Sequence, residues 1–285
     1  MKQIIVDSDF KRGFALCHTD GLITKNPIRI LNFGGLAEEN PVWKIAQWCS
    51  QYNLANGTET VLSDASYEYR DSSKYVKTHR GKGVIEFGLN ASKEYSHPRA
   101  EGEGWPHILL EQEFATDYYC RDLQRLEQAV GFRITKFKNY MKEVEQTDLH
   151  TIQFQWFLSI ENRNVQSKGY HDFYWFGISY FDYPRYSYPP GFQAQDGGKE
   201  ENTGKFIYII PSKSILKKPV IIGEENLIRA DTLKEVENAF FVAKERGFLK
   251  DSNWEDMCIS NMNIGFEVTG TFEVEAVINE IQIIV

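Results

Sequence analysis

Few of the features that usually announce a function are present in this 285-residue chain. Its four cysteines, Cys17, Cys49, Cys120 and Cys258, include no C-x-x-C pair. That spacing excludes a compact zinc ribbon or dithiol motif and predicts isolated, reduced thiols. No apolar run approaches the roughly 20 residues of a membrane helix, and the opening MKQIIVDSDFKRGF lacks the apolar core of a secretory signal. A cytoplasmic protein that meets no membrane is expected. Lys and Arg total 32 against 40 Asp and Glu, a net charge of −8, so no nucleic-acid partner is expected either. Gly34-Gly35 and Gly197-Gly198 lack the Lys-Ser/Thr and the strand–helix setting of a phosphate loop, and there is no G-x-S-x-G elbow. Asp172, Asp182 and Asp196 belong to no recognisable calcium loop. Neither metal nor cofactor is therefore expected. Without repeats or a long linker, residues 1–285 read as a single domain, large enough to bury its core without cross-links.

What the chain has in plenty is aromatic residues and period-two runs. Phe, Tyr and Trp make up 14% of it, and eight of them fall in residues 169–185, GYHDFYWFGISYFDYPR. Residues 151–160 (TIQFQWFLSI) put Ile152, Phe154, Trp156, Leu158 and Ile160 on one face and Thr151, Gln153, Gln155, Phe157 and Ser159 on the other. Residues 85–90, 107–114 and 205–210 read as further strands, and 263–285 as two or three more with a bend near Gly270. Two stretches predict helix. In residues 40–53, Asn40 and Pro41 suit a helix start and Val42, Ile45, Ala46 and Cys49 follow helical spacing. In residues 232–248, Thr232 and Glu235 form a capping box and Gly247 supplies a left-handed stop. Residues 120–146 are divided between a helical CRDLQRLEQ and a strand-like GFRITKF. The Pro- and Gly-rich stretches 97–107 and 188–204 read as loops.

Many strands and two short peripheral helices predict an all-β fold, an antiparallel two-sheet jelly-roll β-sandwich. The C-terminal pattern IGFEVTGTFEVEAVINEIQI, with the strands before it, resembles the jelly rolls of the concanavalin A-like lectin and glucanase superfamily over residues 80–285. That resemblance implies carbohydrate chemistry. The E-x-D-x-x-E string of the sandwich glucanases is absent, and Arg99-Ala100-Glu101-Gly102 and Gln153-Phe154-Gln155 match only fragments of the alginate-lyase motifs. In a lyase, Arg99 would neutralise a uronate and His171 or Tyr174 would act as base.

The candidate ligand residues follow from the same patterning. A strand over 173–181 would send Phe173, Trp175, Gly177, Ser179 and Phe181 to one side and Tyr174, Phe176, Ile178 and Tyr180 into the core. Sugars need amides and carboxylates for their hydroxyls and a flat ring for their C–H surface. Arg99, Trp105, His107, Glu111, Glu113, Gln153, Gln155, Trp175 and Glu267 could supply these, with Glu86 and Asn90 adding to the same face. Glu111 with Glu113, and Glu273 with Glu275, have the spacing of a side-by-side carboxyl pair. The expected protein binds an oligo- or polysaccharide or serves carbohydrate metabolism. A divergent glycoside hydrolase or polysaccharide lyase on the same face and a non-catalytic interaction sandwich stay open as alternatives.

Overall fold

The period-two runs pair as strands over most of the chain. A computed structural model describes residues 1–20, 26–141, 146–198 and 202–285. Parts of two stretches read above, residues 142–145 and 199–201, lie outside the described residues. Among the described residues the strands are β1 (Phe14–Leu16), β2 (Arg29–Leu31), β3 (Trp43–Ala46), β4 (Thr58–Val61), β5 (Tyr67–Arg70), β6 (Lys74–His79), β7 (Val84–Asn90), β8 (His107–Tyr119), β9 (Glu127–Asn139), β10 (Ile152–Asn162), β11 (Phe173–Tyr183), β12 (Phe192–Gln195), β13 (Phe206–Ile210), β14 (Asn226–Asp231), β15 (Met257–Val268) and β16 (Phe272–Ile284). They form a nine-stranded sheet, β12-β13-β11-β10-β15-β8-β3-β1-β2, and a seven-stranded sheet, β14-β9-β16-β7-β6-β5-β4. Pairing is antiparallel apart from β1 with β3 and β11 with β13. The fold is the expected jelly-roll sandwich.

Alternation decides which faces meet. On β10, Ile152, Phe154, Trp156, Leu158 and Ile160 are all fully buried between the sheets. Phe154, Tyr180 and Phe266 of the nine-stranded sheet meet Phe87 and Phe132 of the other; the Phe132–Phe154 ring centroids are 4.7 Å apart and those of Phe154–Phe266 5.1 Å. Much of the aromatic excess is therefore core, where each large ring removes 150–250 Å² from water. Phe181 is a correction to the simple alternation. A bulge in β11 pairs Phe154 with Phe181 and Gln155 with Ser179, which turns Phe181 inward and Asp182 outward.

The second helix forms and the first does not. Leu233–Glu245 is α1, with Val236, Ala239, Phe240 and Ala243 buried and Gly247 at φ +87° after its last turn. Its start differs from the capping box. The Thr232 hydroxyl donates to the Leu126 carbonyl and to Gln128, and the Asp231 carboxylate accepts from the amides of Leu126 and Leu233. Residues 40–53 instead contain strand β3, with Trp43 and Ile45 fully buried and Lys44 turned outward. β8 and β1 pair on either side of it, satisfying its backbone as a central strand, and Cys49 at φ +53° breaks any continuing helix. Long-range pairing outweighs the local helix signal. CRDLQRLEQ yields one 3-10 turn, Cys120–Asp122, before β9 begins, and the stretch read as loop at 188–204 contains β12.

The outer face of the seven-stranded sheet is filled by its own charges. Lys136 bonds Glu273 and Glu275 at 2.5 and 3.0 Å, the Tyr75 hydroxyl donates to Glu275, and Arg70 lies 4.1 Å over the Tyr75 ring. A depression of about 110 Å³ there is lined by Arg70, Tyr75, Glu273 and Glu275 among others. Glu273 and Glu275 thus belong to an ion-pair ladder. Glu86 and Asn90, expected beside the candidate ligand residues, lie on β7 of this sheet, on the opposite side of the sandwich.

Candidate functional site

The nine-stranded sheet presents the other outer face, and its register sets the candidate residues in rows. One row runs Gly177 (β11), Phe157 (β10), Asn263 (β15), Glu111 (β8) and Lys44 (β3). A second runs Ser179, Gln155, Gly265, Leu109 and Ala46. A third runs Asp182, Gln153, Glu267 and His107, and a fourth Trp175, Ser159, Asn261 and Glu113. Seven of the nine candidates thus share one face by strand register alone. Trp105 and Arg99 join it from the loop that enters β8.

Trp175 is half-buried, edge-on to Phe157 and Phe173 at centroid distances of 6.3 and 5.2 Å. Gly177 beside it has no side chain because one would strike the Phe157 ring; a Cβ there would lie 2.3 Å from Phe157 Cε1. Gly265 (φ +155°) is set by backbone, since a Cβ would lie 2.2 Å from the Ile108 carbonyl oxygen. Its bare position leaves the middle of the face low between Gln155 and Leu109. Gln155 Nε2 donates to Gln153 Oε1, and Gln153 Nε2 to Asp182, which Arg185 clamps at 3.0 and 2.6 Å. Gln155 Oε1 and Ser179 Oγ, on directly paired residues, are buried without a hydrogen-bond partner among the described residues.

Glu111 is half-buried between Cys17, whose thiol donates to its Oε2 at 3.9 Å, and Lys44. Burial pushes the Glu111 carboxyl up to about 7; Lys44 opposes the rise and Glu113 adds to it. Lys44 is committed elsewhere, its ammonium 2.5 Å from Glu113. Burial works against the Lys44 charge, but the bond to Glu113 and the field of Glu111 hold its affinity for the proton above the ordinary value. The result is a carboxyl that keeps its proton near neutrality beside a cation and a second, exposed carboxylate.

At the other end His107 is buried, its Nε2 3.3 Å from Glu267, whose Oε2 also accepts from the Trp105 indole at 2.8 Å. Trp105 stacks on His107 at 5.9 Å and carries the Arg99 guanidinium 4.7 Å over its ring. The two ends are separate. Glu111 faces Asn263 and His107 faces Glu267, four residues along β15, about 13–14 Å at the usual strand rise. Glu111 and Glu267 are therefore too far apart to flank one glycosidic bond, whereas Glu111 and Glu113 are about 7 Å apart along β8.

Two bases considered for a lyase do not serve. Tyr174 is fully buried and its hydroxyl donates to the Val236 carbonyl of α1. His171 is exposed and paired with Glu161. Asp172, Asp182 and Asp196 pair separately, with Lys205, Arg185 and Thr203. Among the described residues no three His, Cys, Asp or Glu side chains are grouped to hold a metal ion, and no helix is long and apolar enough to cross a membrane. Sequence reading missed Lys44, Cys17, Asn263 and Gly265. Only Asn263 and Gly265 carried a signal, as polar and small positions in the alternation of β15.

No protein-family model and no curated protein matches the sequence. Solved structures with a similar strand arrangement include glycoside hydrolases. They include a cellulase derived from Cel12A of Rhodothermus marinus (9% identity, 84% of this chain and 99% of that one, TM-score 0.42). A family 12 xyloglucanase from Bacillus licheniformis gives 10% identity, 80% and 96% coverage and a TM-score of 0.44. The family 11 xylanase from Neocallimastix patriciarum gives 9%, 80% and 95%, and 0.41. At these values no residue role passes from them to this chain.

Proposed function

We propose that the outer face of the nine-stranded sheet binds a carbohydrate chain. The observation that carries this is the placement, on one sheet face, of a half-buried indole beside a continuous field of amide, hydroxyl and carboxyl groups. Trp175 with Phe157 offers a ring for a sugar's C–H surface, and Gln155, Ser179, Asn263 and Glu111 offer partners for its hydroxyls. Across β11, β10, β15 and β8 the field spans about 14 Å at the usual strand spacing, and the missing side chains at Gly177 and Gly265 keep it low. Gln155 and Ser179 support the reading further, because buried polar atoms without partners cost about 1–3 kcal/mol each.

The test is calorimetric titration with a panel of oligosaccharides against the parent, Trp175→Ala and Asn263→Ala, with melting temperatures alongside. Binding by the parent that falls in both variants, with folding retained, is the expected result. A parent that binds no member of the panel overturns the reading.

A second reading, hydrolysis on the same face, is favoured by Glu111. A carboxyl that keeps its proton near pH 7 is suited to protonate a leaving-group oxygen, and Glu113 is the carboxylate within range. Release of reducing ends from a bound glycan, abolished in Glu111→Gln with binding retained, is the outcome that would favour hydrolysis over binding alone.

A further inference from the structure

Among the described residues two Lys or Arg side chains are buried, and only one of them carries carboxylates. Lys74, 1% exposed, pairs with Asp71 at 2.8 Å and Glu94 at 3.5 Å. Arg99 is 6% exposed, yet among the described residues no carboxylate oxygen comes within ion-pair distance of it. Its Nε donates to the Glu103 carbonyl at 2.8 Å, and its terminal nitrogens make no hydrogen bond to a described residue. The nearby acids are turned elsewhere: the Glu103 carboxylate accepts from the Ala100 amide and pairs with His97, and Glu267 accepts from Trp105. Burial lowers the affinity of Arg99 for its proton, with Tyr95, Glu103 and Glu101 acting in the opposite direction. A guanidinium does not discharge inside a protein, so the charge persists without a described carboxylate in contact and favours an anion brought from outside.

The position of this charge links it to the carbohydrate face. Trp105 stacks between the Arg99 region and His107, and His107 stands in the same sheet row as Gln153 and Asp182. A guanidinium offers parallel N–H donors in a planar fork that fits a carboxylate with two bonds. We propose that this end of the face takes a sugar unit bearing a carboxylate, so that the ligand is an acidic, uronate-containing glycan with Arg99 as the partner of its carboxylate. The inference rests on the carbohydrate-binding reading above and narrows its ligand class.

The test uses tetrasaccharides of galacturonate, glucuronate and mannuronate, each beside its carboxyl-reduced neutral counterpart, titrated into the full chain and into Arg99→Lys and Arg99→Gln. The parent should bind at least one acidic member about tenfold or more tighter than its neutral counterpart, as charge-assisted bonds imply. Arg99→Gln should bring that affinity down to the neutral level. Arg99→Lys, which keeps charge but loses the fork, should lose several-fold, and it decides the matter if Arg99→Gln melts too low to titrate. Absence of an acidic preference in every pair, or a preference that survives both variants, overturns the inference. A sulfated tetrasaccharide bound more tightly than every carboxylated one also overturns it. Neutral binding without preference sinks this inference alone, whereas no binding by any member sinks the carbohydrate-binding reading with it.

Discussion

Trp175 and Phe176 are neighbours in sequence with opposite fates, and the difference is measurable. Phe176 is fully buried and stacks on Tyr208, so Phe176→Ala should cost about 3–5 kcal/mol in chemical denaturation. Trp175→Ala should leave stability nearly unchanged and weaken glycan binding instead. Glu111 gives a second residue-scale prediction. Its folded carboxyl titrates at about 7 against roughly 4.3 when unfolded, so between these values the folded state holds a proton that the unfolded state has lost. Stability therefore falls as pH rises from about 4.3 to 7 and is level with respect to this group above that. The difference in unfolding free energy between the parent and Glu111→Gln, followed from pH 4 to 8, should show this fall. A difference that is flat with pH would place Glu111 in an ordinary solvated setting.

Among the elements, β15 is the one whose geometry the site depends on most. It lies between β10 and β8 and carries Asn263, Gly265 and Glu267 to the face. At Gly265 a methyl group meets the Ile108 carbonyl, which is backbone and cannot turn aside. Gly265→Ala should destabilise the fold at or above the upper end of the roughly 1–3 kcal/mol typical of overpacking. At Gly177 the obstacle is the Phe157 ring, which can rotate, so Gly177→Ala should cost less and disturb the aromatic corner beside Trp175. Comparing thermal melts of the two variants checks the order; equal losses would mean that neither contact is as rigid as the register implies. The strand read over 173–181, up to its bulge, and α1 were legible from alternation and from Gly247, because both signals are local. β3 was not, because its four residues are strand only where β8 and β1 supply partners.

For the whole molecule, the sandwich core leaves the thiols in place without cross-links. Cys17, Cys120 and Cys258 are raised by burial, Cys17 and Cys258 to about 12, so little thiolate exists at neutral pH. Native protein should react slowly with a thiol reagent, and denaturation without reductant should release four reactive groups. Two or none would reveal a disulfide.

The sequence by itself determined that this is a β-sandwich, which strands are half-buried, and that Gln153, Gln155, Glu111, Glu113 and Trp175 turn away from the core, because period two is written residue by residue. Tertiary structure alone decided which outward faces coincide. Glu86 and Asn90 have the same alternation as Glu111 but sit on the other sheet, since alternation assigns a side within a strand and says nothing of which sheet the strand joins. The raised carboxyl of Glu111 and the burial of Arg99 out of contact with any described carboxylate belong to that same level. Each depends on groups brought from distant strands and loops, Lys44 and Cys17 to one and Trp105 with the turned-away Glu103 to the other, and burial and charge act through space rather than along the chain.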